Sequence, residues 1–423
     1  MNDTYTLSQE LLTFLDASPS CFHAVKNISD QLTKYGFTQL AENQRWEIRP
    51  GGKYFVTRNG SSLAAFTIPE KKIKGWRIAA SHGDSPCLKI KENPEIAVEN
   101  HYIQLNIERY GGIINNAWLD RPLSLAGRVI VKEDGRLVNK LVNIDRDLLL
   151  IPNIAPHLYR DINKHEYNMQ KEMLPIYGDI SAKGTFMKTV AEAAGVSEAD
   201  ILGHDLYLYV RQKGTVWGAS REYIASSRLD DLHCAFASFK GFLSGGKSEH
   251  GAIYCLFDNE EVGSLTRQGA ASTFLKDTMS RICDALSMSR EDYLISLADS
   301  YMLSCDNAHA VHPSYTEKSD PSNRPYINEG IVIKYTAEQT YCSDGLSGAM
   351  FKDVCKRAGV PYQIFTNRSD SRGGSTLGNL SSAQVAVSTV DIGLPQLAMH
   401  SSYEIAGTKD TGYLVKAAEV FFE

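Results

Sequence analysis

Three acids, Asp258, Glu260 and Glu261, close an apolar run in GAIYCLFDNEEVGS (251–264). A strand that leads into such a cluster either ends at the surface or holds a cation. Four other stretches end the same way: IAASHGDSP with His82 and Asp84, SSRLDDL with Asp230 and Asp231, LADSYMLSCDNAHAVHP with Asp299, Asp306, His309 and His312, and LAMHSSYE with His400 and Glu404. Ligand sites of open α/β sheets lie beyond the carboxyl ends of the strands. Five clusters at comparable points therefore suggest one convergent site.

The residue types narrow the chemistry. Imidazoles and carboxylates without a thiolate suit Zn²⁺, Co²⁺ or Mn²⁺. An excess of carboxylates suits two close cations, because a bridging aspartate binds both and offsets their repulsion. The adjacent Glu260 and Glu261 suit a division of labour, one ligating and one carrying protons. His82 and Asp84 share a face on an extended segment, so the acid can hold the ring of a ligating histidine. Asp258 reads as a turn-former, accepting from the amides of Val262–Gly263–Ser264. Each feature also has an ordinary explanation. A Glu-Glu pair is usually solvated, DNAHAVHP can start a helix capped by its aspartate, and Lys334 in IVIKYT can be an edge-strand lysine facing solvent. Taken jointly, the residues read as a dinuclear metallohydrolase.

The elements that must position these groups show two patterns. Residues 6–36 read as one or two helices broken at Ser18-Pro19. Short β-type runs follow: KYFVTR, SLAAFTI and GWRIAASHGDSP. From about 88 to 225 the chain is rich in strands and turns, with a hairpin signal at EDGR and a helical patch near 186–200. From about 226 helices and strands alternate. Helices are expected near 230–244 and 265–276. Strands are expected at 251–257 and 293–299 and near 330–335, 362–366 and 386–391. The pattern predicts an α/β fold with a mixed or largely parallel sheet, formed by residues 1–88 and 226–423 and interrupted by a β-rich insertion at 89–225.

Composition sets outer limits. The chain has 423 residues, 43% hydrophobic and 22% charged, with a net charge of −6. This fits a globular protein of about two domains and argues against general nucleic-acid binding. There is no apolar run of membrane-spanning length, and the N-terminus lacks the pattern of a signal peptide. Eight scattered cysteines without a C-x-x-C pair read as reduced core residues of a cytoplasmic protein.

The ordered set ASHGDSP, IPNIAPHLYR, SSRLDDL, FDNEEVGS, SCDNAHAVHPSY and PQLAMHSSYE closely resembles the aspartyl aminopeptidase family of dinuclear zinc peptidases. The resemblance spans nearly the whole chain, and FDNEEVGS together with MHSxxE is its most specific part. It implies a three-layer α/β/α zinc-peptidase domain with an inserted β-rich oligomerisation domain. It also implies a tetrahedral homododecamer and removal of N-terminal Asp or Glu from peptides. By motif position, His82 and Asp306 would hold one zinc, Glu261 and His400 the other, and Asp230 would bridge. Cobalt or manganese are possible substitutes. Glu260 would be the general base and Asp84 would orient His82. His309, Lys334 and Tyr341 match substrate-contacting positions, and His157 matches a histidine that reaches a neighbouring subunit's site.

Two departures bear on specificity. Tyr403 stands where the family commonly has arginine in MHSxRE, and Thr340 replaces another arginine after Lys334. A broad or neutral-specificity dinuclear aminopeptidase is therefore the alternative. A non-peptidase amidohydrolase or deacylase and a metal-stabilised scaffold stand further off.

Overall fold

The computed structural model describes residues 2–245 and 248–423. Its centre is a nine-stranded mixed sheet. Three adjacent parallel strands, Gly251–Phe257, Trp76–His82 and Tyr301–Cys305, form the middle, with Phe257 paired to His82. The strand Ser388–Gly393 runs parallel beside Tyr301–Cys305. Beyond it lie Ile331–Tyr335 and Tyr362–Thr366. The central strands are buried on both faces, as in Gly251–Phe257 where every residue is buried. That is why they read as continuous apolar runs.

Helices cover both faces, giving three layers. Asn2–Ala17, Cys21–Lys34, Leu229–Ser244, Gly345–Ala358 and Asp410–Phe422 pack on one side, around Leu11, Ile28, Phe239 and Phe351. Phe274–Ala285, Arg290–Ala298 and Leu377–Gln384 cover the other, around Trp76, Phe274 and Met279. Alternation along single strands feeds both cores: Phe55 faces the first and Val56 the second.

A six-stranded antiparallel sheet takes its strands from residues 87–210, with Phe186–Ala194 packed on its longest hairpin. Its core is separate, built on Leu105, Leu125, Leu206 and Phe186. A third sheet is small but brings distant segments together. It joins Thr215–Trp217, Tyr223–Ser226, Glu404–Gly407, Pro395–Leu397 and Ala308–His309.

Two elements differ from the sequence reading. Residues 293–299 are not a strand, because Arg290–Ala298 is a helix opened by a reciprocal Ser289–Asp292 capping box. The strand begins only at Tyr301. The helix expected at 265–276 begins at Phe274. Before it, the loop folds back on the sheet: the Gln268 carbonyl accepts from the Ser62 hydroxyl at 2.6 Å and the Asp258 amide at 3.2 Å. Those contacts replace helical bonds.

Candidate metal centre and its cavity

Strand ends place the candidate ligands. His82 closes Trp76–His82, the FDNEEVGS turn follows Gly251–Phe257, and Asp306 follows Tyr301–Cys305. These are carboxyl ends of three neighbouring parallel strands, where an open sheet presents its ligands. Asp230 enters from the start of Leu229–Ser244, where its backbone and that of Asp231 are non-helical. His400 enters from the turn between two strands of the small sheet, at φ 68°.

Three groups of three result: one is His82, Glu260 and Glu261, and the other two share Asp230. Of these two, His82, Asp230 and Asp306 form one, and Asp230, Glu261 and His400 the other. His82 Nε2 lies 3.5 Å from Asp230 Oδ1 and 3.9 Å from Asp306 Oδ1. His400 Nε2 lies 3.4 Å from both Asp230 Oδ2 and Glu261 Oε2. Glu260 Oε2 is 4.0 Å from His82 Nε2.

The surrounding hydrogen bonds fix these groups. His82 Nδ1 pairs with the Asp84 backbone carbonyl at 3.1 Å, with the Asp84 carboxylate at 3.4 Å. That carboxylate also receives the Glu260 and Glu261 amides, both at 3.2 Å, and the Tyr110 hydroxyl at 2.7 Å. Asp231 accepts from the amides of His82 and Asn307. Glu404 accepts from the amides of His400 at 2.8 Å and Asp230 at 3.1 Å. The carbonyl of Gly112 holds His400 Nδ1 at 3.0 Å.

Asp258 does not form the turn as expected. It is buried and accepts from the amide of Asn259 at 2.8 Å. The turn-former is Asn259 at φ 61°, whose carbonyl takes the amides of Ser264 and Val262. Asp299 ends the helix Arg290–Ala298 at the amino end of the central strands, away from the candidate ligands, where its carbonyl accepts from Arg77. His312 sits in an exposed turn and accepts from the Ser314 amide. Ala308–His309 is a short strand and not a capped helix start.

The two groups that share Asp230 open onto a cavity of ≈ 330 Å³. His309, Lys334 and Tyr341 line it together with Glu260 and Glu261. Lys334 is no solvent-facing edge lysine, since it is 3% exposed and its strand is paired on both sides. Its Nζ donates to the Asn307 carbonyl at 2.8 Å and stands 3.6 Å from Asp306 Oδ2. Tyr403 and Thr340 are not among the lining residues. Tyr403 instead donates to the Lys213 carbonyl at 2.8 Å. His157 is exposed, on a turn distant in sequence from every lining residue.

A family model described as aminopeptidase I zinc metalloprotease (M18) matches residues 14–422. The chain belongs to the M18 family of zinc aminopeptidases. It is 46% identical over 431 residues to a probable M18 family aminopeptidase 2 of Clostridium acetobutylicum, with all of both chains covered. It is 38% identical to the corresponding protein of Ectopseudomonas mendocina, with 98% of each covered. A chain in the cryo-EM structure of the Ape4 and Nbr1 complex matches with TM-score 0.95 and 36% identity, covering 99% of this chain and 86% of that one. The S. cerevisiae mApe1 dodecamer matches with TM-score 0.88 and 27% identity, covering 100% and 97%. The chain is thus a peptide hydrolase, and no helix among the described residues is long and apolar enough to cross a membrane.

The donor set of this M18 chain fits zinc. Asp230 Oδ1 and Glu261 Oε1 are buried without a hydrogen-bond partner, and such atoms are costly unless something pairs with them. Separations of 3.4–3.9 Å between donor atoms approach the tetrahedral edge of ~3.3 Å that zinc–ligand bonds of ~2.0–2.1 Å generate. The protonation pattern is that of crowded acids. Burial raises Glu260 to about 8, with Asp306, Asp84 and Asp230 adding to it and His82 opposing. Burial likewise raises Glu261, reinforced by Asp230. Burial opposes charge on His82, yet its carboxylate partners hold it above the usual imidazole range. A bound cation would relieve this repulsion.

One part of the M18 cavity escaped the sequence reading: Gly374, Ser375 and Thr376, with Phe365, Leu380 and Met399. The available signal was RGGST (372–376), a glycine pair with hydroxyls just before the helix Leu377–Gln384.

Proposed function

We propose that this chain removes N-terminal residues from peptides, preferring Asp and Glu, with two zinc ions. His82 and Asp306 hold one ion, Glu261 and His400 the other, and Asp230 serves both. The observation that carries the reading is the sharing of Asp230 between two three-residue groups. Bound zinc supplies a Lewis acid for the scissile carbonyl and lowers the pKa of water towards ~7.

The chain's own groups do the rest. Glu260 takes a proton from the attacking water and delivers it to the leaving amine. It suits this because it stands outside the two groups that share Asp230, meeting only His82 and Glu261 in the third, and lines the cavity beside both. Asp84 holds the amides of Glu260 and Glu261, so the base and its neighbour keep fixed directions. His309 donates from its ring to the developing oxyanion. Lys334 faces the acidic side chain of the substrate, with Tyr341 beside it at 5.5 Å from Nζ to ring centre. A partly desolvated pairing of that kind contributes roughly 1–3 kcal/mol.

Residues 1–88 with 226–423 serve as the catalytic domain and 89–225 as an oligomerisation domain. The likeness to the S. cerevisiae mApe1 dodecamer supports the same assembly here, which we take as tetrahedral and in which His157 reaches a neighbouring site. The exposed Leu158 beside it, 79% accessible, suits such a contact.

A second reading has its own support. Lys334 is already near Asp306, and Phe365, Leu380 and Met399 give the cavity apolar wall. Broad or neutral specificity would follow if the Lys334 charge is fully used by Asp306. Turnover of Asp-, Glu-, Leu- and Lys-anilides by the zinc-loaded enzyme separates the two. The same preparation should hold two zinc ions per chain by elemental analysis. Glu260→Gln should keep both and lose ~10²–10⁴ in kcat. Near-normal turnover of that variant would overturn the assignment.

A further inference from the structure

Behind the cavity wall lies a carboxylate that no step above uses. Asp391, in the strand Ser388–Gly393, is 0% exposed and does not line the cavity. Its Oδ1 accepts from the Thr376 hydroxyl at 2.7 Å. Its Oδ2 accepts from the Cys342 amide at 2.6 Å and the Cys342 thiol at 3.0 Å. Its own amide donates to the Ser343 hydroxyl at 2.9 Å.

These partners sit in two loops. One runs from 336 to 344 and carries Tyr341; the other runs from 367 to 376 and carries Gly374, Ser375 and Thr376. Neither has helix or strand structure, so no backbone ladder holds it. Both contribute to the cavity. Close packing is built in: a Cβ on Gly378 would stand 2.6 Å from Asp391 Oδ1. A buried carboxylate is costly without donors, and here every donor comes from a segment that shapes the cavity wall.

We infer that Asp391 is a positioning residue for peptide binding, tying two loops into one wall of the cavity through its buried carboxylate. It touches neither the candidate ligands nor Glu260 through any hydrogen bond it makes. Its effect should therefore fall on substrate affinity and spare the chemical step. The inference rests on the reading of this cavity as the substrate site.

Asp391→Asn is the direct test. An amide keeps one acceptor oxygen and turns an NH₂ towards the other partner: facing the Cys342 amide it repels, and facing the Thr376 hydroxyl it replaces a charge-assisted bond by a weaker neutral one, so the clamp loosens. The zinc-loaded variant should show KM raised about tenfold on a peptide anilide, kcat within about threefold, and wild-type zinc content. Thr376→Val should shift KM in the same direction and Thr376→Ser should not. The double variant D391N/T376V should cost less than the two single effects summed, because both act on the one Thr376–Asp391 contact. A folded, zinc-loaded Asp391→Asn with wild-type KM would overturn the inference. If that variant does not fold, equal KM values for Thr376→Val and Thr376→Ser overturn it. Glu260→Gln assayed alongside separates the two failures. An active Glu260→Gln sinks the site reading, whereas an inactive, metal-loaded one with unchanged Asp391→Asn sinks only the clamp.

Discussion

The Tyr110 hydroxyl donates to Asp84 Oδ2 at 2.7 Å and accepts from the Asn259 side chain at 2.9 Å. One phenol thus joins the last residue of a strand in the six-stranded sheet to two turns of the nine-stranded sheet. Two residues on, Gly112 holds His400. Residues 110–112 therefore brace both sides of the metal centre. Tyr110→Phe removes the donor while keeping the ring, which packs on Tyr207 at 5.6 Å. Zinc affinity or kcat should fall ~10–100-fold, the usual effect of losing a group that orients ligands. Chelator titration and initial rates check this; unchanged values in both would remove Tyr110 from the site.

Asp230 and Asp231 are neighbours with different surroundings. Asp230 Oδ1 is buried and unpartnered, whereas both Asp231 oxygens accept backbone amides. Asp230→Asn should therefore release zinc, seen by elemental analysis. Asp231→Asn should retain much of it and lose roughly 1–3 kcal/mol of stability, because an NH₂ would face an amide donor. The reverse pattern in metal content and urea unfolding would exchange the two roles.

How much of this was legible depended on the range of the interaction. Strands such as Lys53–Arg58 and Gly251–Phe257 stand where period and apolarity put them. YLISLA was misread because a short apolar run cannot by itself distinguish a strand from a half-buried helix; the Ser289–Asp292 box was the overlooked signal. Histidines and acids at strand ends were legible because few other chemistries use those types together. The left-handed Asn259 was not, since a turn's acceptor depends on backbone angles. The Thr376–Asp391 bond was not either, since it depends on how two loops pack against one strand. The role proposed for His157 involves a second chain, which one chain's sequence pattern does not encode.

His233 gives a pH dependence outside the reaction. It is 0% exposed, pairs through Nε2 with the Thr411 hydroxyl at 2.7 Å, and has an unpartnered Nδ1. Burial lowers its pKa from 6.5 to about 3. The folded state therefore keeps it neutral while the unfolded chain takes a proton below 6.5. Its stabilising effect is full above that pH and declines as pH falls towards 3. Between pH 7 and 5 the loss is about 2 kcal/mol from this residue. His23, lowered to about 4 by burial and then Arg228, acts in the same direction. Thermal unfolding should show a Tm that falls over this range, and His233→Gln should flatten the fall. An unchanged slope in that variant would mean another group carries it.

The proposed acidic preference turns on Lys334. Its Nζ faces the cavity, but the same atom is 2.8 Å from the Asn307 carbonyl and 3.6 Å from Asp306. Burial opposes its charge, and Asp306 more than restores it, holding the pKa above the usual lysine range. The cation therefore persists at neutral pH and can receive a substrate carboxylate without deprotonating. Lys334→Met keeps the length and removes the charge. If Lys334 reads the substrate's acid, kcat/KM for a Glu-anilide should fall ~10–100-fold more than for a Leu-anilide, the equivalent of roughly 1–3 kcal/mol. If both fall equally, with loss of zinc, the lysine serves Asp306 instead and the broad-specificity reading stands.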